Sequence, residues 1–193
     1  HIQADHDLAA FDCGEPDLND WLGLRAITNE TSGASRTYVI CAEGRVVGYY
    51  ALATGAVARA AATGKVRRQM PDPIPVMIVG RLAVDLRHQK QGLGYGLLRD
   101  ALLRTAQVAE QTGIRAVLLH AMTAEAKRFY QRAGFQESPA DPMTMMITTV
   151  AGMKTTGRRQ TGEPAACPVA PRAAFVQSRR TAESVAARTQ AVV

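Results

Sequence analysis

The hydrophobic and polar pattern of the first half of the chain predicts one helix followed by paired strands. Apolar residues at helical spacing predict a helix that opens at Asp17, as its N-cap, and runs to about Asn29. Two β-rich runs follow at 37–42 and 46–52, and the Glu-Gly pair between them predicts a tight hairpin. Residues 54–73 have no clear period, so no regular element is predicted there.

The second half alternates between strand and helix patterns. A long strand at 74–84 contains Gly80, which indicates a bulge or a close backbone approach. Together with the hairpin, this order predicts a mixed α/β sandwich around one sheet. The further elements are a helix that ends at Gly113, a strand at 114–119, a helix from the N-cap Thr123 to about Arg132, and a strand at 143–149.

Composition changes this picture beyond residue 150. Ala, Arg, Thr, Pro and Gly dominate 151–193, which predicts a disordered tail with at most a marginal helix at 177–190. The tail has seven basic and two acidic side chains, a net +5 of the chain's +6. The sequence therefore predicts one domain at 1–150 and a basic tail, which we interpret as solvated in preference to a nucleic-acid-binding arm.

Cysteine usage and hydropathy restrict the cellular setting. Cys13, Cys41 and Cys167 are widely spaced and odd in number, which argues against a disulfide scaffold or a zinc site. We expect no metal and a reducing, cytoplasmic location. There is no run of about 20 apolar residues and no signal-like start, so neither a membrane span nor a leader peptide is expected.

The loop between the 74–84 strand and the next helix has the chemistry of a pyrophosphate cradle. Glycines let backbone approach a ligand closely, and the helix directs its free N–H groups and positive dipole end toward that ligand. The P-loop and dinucleotide fingerprints are absent, so a plain strand-to-helix turn is the alternative. The loop residues are Gln89, Lys90, Gln91, Gly92, Leu93 and Gly94.

Two segments resemble the motifs of the GNAT superfamily of acetyltransferases. RLAVDLRHQKQGLGYGLLRDALLR resembles motif A, and AEAKRFYQRAGF resembles motif B. The resemblance covers about residues 8–149 and implies an α/β GNAT fold, with a mixed central sheet, a splayed parallel strand pair and helices on both faces. It also implies acetyl-CoA as co-substrate, its pantetheine arm bound by main-chain groups of Leu82, Ala83 and Val84 and its pyrophosphate by 89–94.

Other segments narrow the resemblance to the GNAT toxins of toxin–antitoxin modules. FDCGEPDLNDWL is similar to their opening motif, and GRLAVD, GIRAVLLHA, KRFYQRAGF and PMTMM continue the likeness in order. The resemblance implies acetylation of the α-amino group of aminoacyl-tRNA, which blocks translation. It further implies a ribbon-helix-helix antitoxin as partner and a homodimer. One departure is Thr123, where many members have Asn.

Tyr130 is the candidate catalytic acid. When an amine attacks a thioester a thiolate leaves, and a Tyr with an ordinary pKa of about 10 can protonate it. The resemblance places the catalytic tyrosine at Tyr130. The alternative is that Phe129 and Tyr130 form a core aromatic pair, and both can hold if Phe129 packs while Tyr130 faces the cleft.

No side chain in the sequence stands out as a general base. The 74–84 strand has no Glu or His, and Asp85 at its end is as readily a helix or loop cap as a base. His120 ends an apolar strand and could line the cleft, although a lone His at a strand end is more often structural. We interpret His88 as solvated. A missing base mildly favours an α-amine acceptor, because its pKa of about 7.7 to 8.0 leaves it partly neutral.

Charge within residues 1–150 is asymmetric. Residues 81–132 have nine basic and four acidic side chains, a net +5 that could bind CoA phosphates and a tRNA backbone. Lys65, Arg67 and Arg68, in the predicted loop before the long strand, are the candidate RNA contacts. Two other functions stay open: a GNAT enzyme acting on a small amine or protein N-terminus, and a non-catalytic nucleic-acid or partner-binding module.

Overall fold

The computed structural model describes residues 1–149, which form one layer of strands with helices on both sides. The strands are β1 (Arg36–Ala42), β2 (Arg45–Val57), β3 (Ile74–Val84), β4 (Ala116–His120), β5 (Gln136–Glu137) and β6 (Thr144–Thr148). The helices are α1 (Pro16–Leu24), α2 (Ala26–Ser32), α3 (Gly64–Arg67), α4 (Leu93–Ala109) and α5 (Ala124–Arg132). The tail predicted at 151–193 lies outside the described residues.

The strands form one sheet in the order β1-β2-β3-β4-β6-β5. All neighbours are antiparallel except β3 and β4, which are parallel. The predicted hairpin is confirmed: Glu43 and Gly44 both have positive φ, at 50° and 79°, as a two-residue turn matched to strand twist requires. The mixed sheet predicted from the sequence is therefore confirmed.

Helices cover both faces of the sheet. One face, here called the α4/α5 face, packs Leu97 and Leu98 of α4 and Tyr130 of α5 on alternate residues of the central strands. The opposite face, the α1 face, packs Trp21 of α1 and, further along, Val66 of α3. Among the described residues, none of the helices is long and apolar enough to cross a membrane.

The predicted first helix is wrong in its cap and its length. Helix α1 begins at Pro16 with Glu15 at the N-cap, because proline lacks the N–H that a first turn leaves unpaired and has its φ already fixed. Asp17 therefore lies inside the first turn, where its charge favours the helix dipole. The helix breaks at Arg25, whose φ of −121° is not helical, and α2 follows.

Three further boundaries differ from the sequence prediction. Strand β2 continues to Val57 because it pairs with β3 along its whole length, a tertiary effect that no local pattern encodes. Helix α4 ends at Ala109, four residues before Gly113. Strand β4 starts at Ala116 and reaches His120, one residue beyond the prediction. The caps of α5 are as predicted, since Thr123 Oγ1 accepts from Ala126 N at 3.1 Å.

Gly80 is the extra residue of a β-bulge, as its place in the strand predicts. Ala51 of β2 pairs with Arg81 and the next residue pairs with Val79, so Gly80 is left without a partner. The bulge shifts the alternation of side chains along β3 by one residue, so that Val79 and Leu82 both lie on the α4/α5 face. Residues after the bulge with odd numbers, Arg81 among them, therefore face α1.

Candidate functional site

The parallel strands β3 and β4 separate in the middle of the sheet. They pair only from Val76 with Ala116 to Ile78 with Leu118. Beyond that point the edge of β3 that faces β4 has no β4 partner, and it contains Leu82, Ala83 and Val84. The side chains of these three residues are buried, so main-chain groups are what this edge presents to a ligand. The splayed pair that the family resemblance implies is present.

The loop between β3 and α4 has the backbone of an anion cradle. Lys90 and Gly92 adopt positive φ values of 60° and 86°, and Gly92 is the N-cap of α4. Successive turns of this kind direct neighbouring N–H groups toward a common point, and the first turn of α4 adds amides that no helical carbonyl accepts. A Cβ on Gly92 would meet open space, so a ligand can reach the backbone there.

Two glutamines hold this loop in place. Gln89 Nε2 donates to the carbonyl oxygens of Val84 at 3.0 Å and Cys13 at 3.2 Å, and Gln91 Nε2 donates to Arg87 O at 3.1 Å. The side chain of Gln89 therefore ties the loop to the end of β3 and to the chain's opening segment. We expect Gln89 to shape the cradle and the backbone of 90–94 to contact the phosphates.

The buried Asp85 carboxylate holds the start of the same loop through hydrogen bonds. Its carboxylate is 1% exposed and accepts from the Arg87 guanidinium at 3.0 and 3.1 Å, from Arg87 N and from Asp12 N. The Arg87 guanidinium holds the pKa of Asp85 well below its ordinary range. Asp85 is thus a loop cap, and the opening motif FDCG docks on it through Asp12.

Replacing Asp85 with Asn is expected to lower the free energy of unfolding by about 1–3 kcal/mol, because a buried charge-assisted acceptor is lost. The folded-state pKa of Asp85 is depressed, so its stabilisation is present above the unfolded pKa of about 3.9 and is lost as pH falls toward the folded one. Urea unfolding at several pH values measures this. The wild-type advantage should shrink on acidification, while the exposed Asp20→Asn control stays near wild type; a constant difference would contradict the assignment.

Tyr130 lies at the centre of the α4/α5 face. It is 0% exposed, between Phe129 and Phe135, with ring centroids 5.1 and 5.7 Å away. Its hydroxyl has no hydrogen-bond partner within residues 1–149. Burial raises the pKa of Tyr130, so the hydroxyl keeps its proton. Buried hydroxyls are normally paired, so the Tyr130 hydroxyl has an unused capacity to donate to a group outside residues 1–149.

Arg81 has a half-buried environment that the sequence did not indicate. Its side chain lies over the Trp21 ring, 4.7 Å from the centroid, on the α1 face just past the bulge. Its Nε is buried without a hydrogen-bond partner among the described residues. Desolvation lowers the pKa of Arg81. Only the register shift at Gly80 turns this side chain toward α1, and that shift cannot be read from alternation alone.

His120 and His88 both have polar neighbours in the structure. His120 Nδ1 lies 3.1 Å from Thr144 Oγ1 and 3.3 Å from Asp141 Oδ2. His88, which the sequence predicts as solvated, is half-buried with Nδ1 3.4 Å from Asp85 Oδ1. In residues 1–149 no group of three or more His, Cys, Asp or Glu side chains could hold a metal ion.

The three candidate RNA contacts are exposed, as binding to a phosphate backbone requires. Lys65 and Arg67 lie on the short helix α3 and Arg68 caps it, so the predicted loop is wrong. Arg115 holds this helix by donating to the carbonyl oxygens of Lys65 at 3.1 Å and Val66 at 3.3 Å. These bonds place α3 beside the start of β4, on the α1 face.

Comparisons with known proteins agree with this geometry. Residues 33–137 match the family described as acetyltransferase (GNAT) domain. The chain is 52% identical over 141 residues to a tRNA-acetylating toxin of Mycobacterium tuberculosis, which covers 73% of this chain and 85% of the relative.

Two solved structures show the same fold. AtaT complexed with acetyl-methionyl-tRNAfMet is 30% identical with a TM-score of 0.73, over 77% of this chain and 91% of that one. A mutant AtaT toxin bound to the C-terminus of the antitoxin AtaR and acetyl-CoA is 29% identical with a TM-score of 0.68, over 79% and 91%.

Proposed function

The chain belongs to the GNAT acetyltransferase family, and from this premise we propose that it acetylates the α-amino group of aminoacyl-tRNA and so blocks translation as a toxin. The observation that carries the proposal is the unpaired Tyr130 hydroxyl, in a buried cluster that also contains Leu82 and Leu119 of the two strands that separate. The likeness to a tRNA-acetylating toxin supports the choice of acceptor.

The residues present fit acetyl-CoA, which supplies an activated acetyl group as a thioester. The free edge of Leu82 to Val84 offers main-chain groups to the pantetheine arm, and 90–94 offer N–H groups to the pyrophosphate. Tyr130 Oη donates its proton to the sulfur that leaves.

The α1 face supports a tRNA acceptor. Arg81 is a half-buried guanidinium with no carboxylate within ion-pair distance in residues 1–149, which suits a phosphate or carbonyl oxygen of an aminoacylated 3′ end. The exposed cations of α3 lie on the same face and suit a more distant phosphate. We therefore assign Arg81 to the acceptor end and α3 to the tRNA backbone.

The proposed partners of the chain are an antitoxin and a second copy of the chain. The structural relative that binds the C-terminus of AtaR supports an antitoxin for this chain, which we propose to be a ribbon-helix-helix protein. We also propose a homodimer in the cytoplasm. These finer assignments rest on the family resemblance.

The proposal is tested by incubating the chain with labelled acetyl-CoA and four acceptors: charged tRNA, deacylated tRNA, small amines and total protein. Label on charged tRNA alone is the expected result. Label in small amines or protein N-termini alone would establish another GNAT acceptor and contradict the tRNA assignment. Deleting 151–193 should leave transfer unchanged, since only a tail-based binding module needs that segment.

Changing Lys65, Arg67 and Arg68 together to Ser is expected to raise KM for charged tRNA about 10-fold at physiological salt, because up to three phosphate contacts are lost. KM for acetyl-CoA should stay constant. The control changes two exposed arginines outside α3, Arg36 of β1 and Arg45 of β2, to Ser. Equal effects of the two sets, or an unaltered salt dependence of tRNA binding in the α3 variant, would argue against α3 as the RNA contact.

A further inference from the structure

We infer that His120, oriented by Asp141 and Thr144, is the base that takes the proton from the attacking amine. The inference deepens the proposed function and rests on it for the identity of the acceptor. The sequence shows only a lone His at the end of a strand. In the structure a carboxylate and a hydroxyl from a loop and a neighbouring strand converge on one nitrogen of its ring.

The hydrogen bonds around Asp141 determine which ring nitrogen carries the proton. Thr144 Oγ1 donates its single proton to Asp141 Oδ2 at 2.8 Å. Thr144 therefore has none left for His120, whose Nδ1 must be the donor to Thr144 Oγ1 at 3.1 Å, with Asp141 Oδ2 lying 3.3 Å from the same nitrogen. In the neutral imidazole the proton then lies on Nδ1, and Nε2 holds a free lone pair.

Asp141 is itself held as an anion. Its carboxylate accepts from Met143 N at 3.0 Å and from the Thr144 hydroxyl, and these bonds together with His120 lower the pKa of Asp141. An ionised carboxylate beside Nδ1 favours the tautomer that has its proton on that nitrogen and leaves Nε2 as the acceptor. Asp141 and Thr144 thus act as positioning residues.

The ring lies on the side of the sheet where the acceptor is expected. His120 is the last residue of β4, just beyond the point at which β3 and β4 separate. Alternation along β4 puts Leu119 on the α4/α5 face with Tyr130, and His120 on the α1 face with Arg81. His120 Nδ1 bonds to Thr144 of the neighbouring strand β6. The other ring nitrogen, Nε2, has no hydrogen-bond partner within residues 1–149. Acid and base thus approach the open strand pair from opposite faces.

The step balances without any further reagent. The amine nitrogen forms a bond to the acetyl carbonyl carbon, and the bond from that carbon to sulfur breaks. Nε2 of His120 accepts the proton that the nitrogen loses, directly or through one water, and Tyr130 Oη gives its proton to sulfur. Asp141 is the one charged group within ion-pair distance of His120 in the described part of the chain, so it dominates the environment of the imidazole.

The first test is the pH profile of His120→Gln. At pH 6.5 to 7, kcat on charged tRNA is expected to fall about 10- to 100-fold, because an amine with a pKa of about 8 is then mostly protonated. The difference in kcat between His120→Gln and the wild type should become smaller toward about pH 8.5, where the amine loses its proton without a base. Asp141→Asn should give a smaller loss with the same trend. Affinity for acetyl-CoA should be unchanged, and so should the rate of the His1→Gln control at the β1 edge.

The second test needs no acceptor. Ring-nitrogen NMR of the free protein, assigned with His120→Gln, should show neutral His120 protonated at Nδ1, and Thr144→Val should weaken that preference. A proton on Nε2 in the wild type, or a His120→Gln enzyme with wild-type kcat at pH 7, would overturn the inference. Failure of the wild type on every charged tRNA would instead refute the acceptor assignment, and the NMR result would still decide the state of His120.

Discussion

Replacing Tyr130 with Phe is expected to reduce acetyl transfer about 100- to 10,000-fold, the range typical of a lost general acid. Acetyl-CoA binding should be retained, since the change removes one oxygen and leaves the ring against Phe129 and Phe135. Burst kinetics on charged tRNA and calorimetric binding of CoA measure the two effects separately.

The stability of the same variant distinguishes a catalytic tyrosine from a purely structural one. The Tyr130 hydroxyl is buried and unpaired within the described residues, so its removal should leave the free energy of unfolding unchanged or raise it. Tyr49→Phe is the matched control. Its hydroxyl donates to Leu18 O at 2.9 Å, and losing that bond should cost about 0.5–1.5 kcal/mol with little effect on transfer. Full activity in Tyr130→Phe would end its assignment as the acid.

Replacing Gly94 with Glu is expected to weaken acetyl-CoA binding at least about 10-fold, because a carboxylate near the pyrophosphate repels it by several kcal/mol at about 4 Å. Gly94 is in the first turn of α4, where the helix favours anionic groups. A Glu at this position should therefore raise the free energy of unfolding. Its higher helix propensity compared with glycine alone contributes about 0.5–1 kcal/mol.

Opposite signs for ligand binding and stability distinguish a phosphate cradle from a plain turn. Gly94→Gln adds similar bulk without charge and should lose less affinity than Gly94→Glu. Gly23→Glu, at an exposed glycine of α1, should leave acetyl-CoA binding as in the wild type. If Gly94→Glu binds acetyl-CoA normally in calorimetry, the pyrophosphate does not lie at the start of α4.

Local sequence signals predicted the scaffold of the site well. The 74–84 strand and the cap at Thr123 are as predicted, because each depends on residues within a few positions of one another. The bulge at Gly80 was indicated for the same reason, since glycine tolerates the extra residue. The turn between β3 and α4, the proposed phosphate loop, could also be located, although the use of Gln89 as an anchor could not.

What the sequence could not predict depends on contacts between distant segments. Asp141 approaches His120 only because β6 returns beside β4, so the histidine looks isolated along the chain. Arg81 faces α1 because the bulge shifts the register, and Asp12 meets Asp85 across 73 positions. Folding brings together groups that no spacing rule connects.

The location of the acetyl group after reaction tests the central claim most directly. Charged tRNA is treated with the chain and acetyl-CoA, digested with ribonuclease, and the 3′-terminal aminoacyl-adenosine is analysed by mass spectrometry. We expect an added acetyl group on the α-amine of aminoacyl-adenosine with the wild type, and at least about 100-fold slower appearance of that product with Tyr130→Phe. Unmodified aminoacyl-adenosine with the wild type, or acetyl groups found only on protein or on small amines, would contradict it.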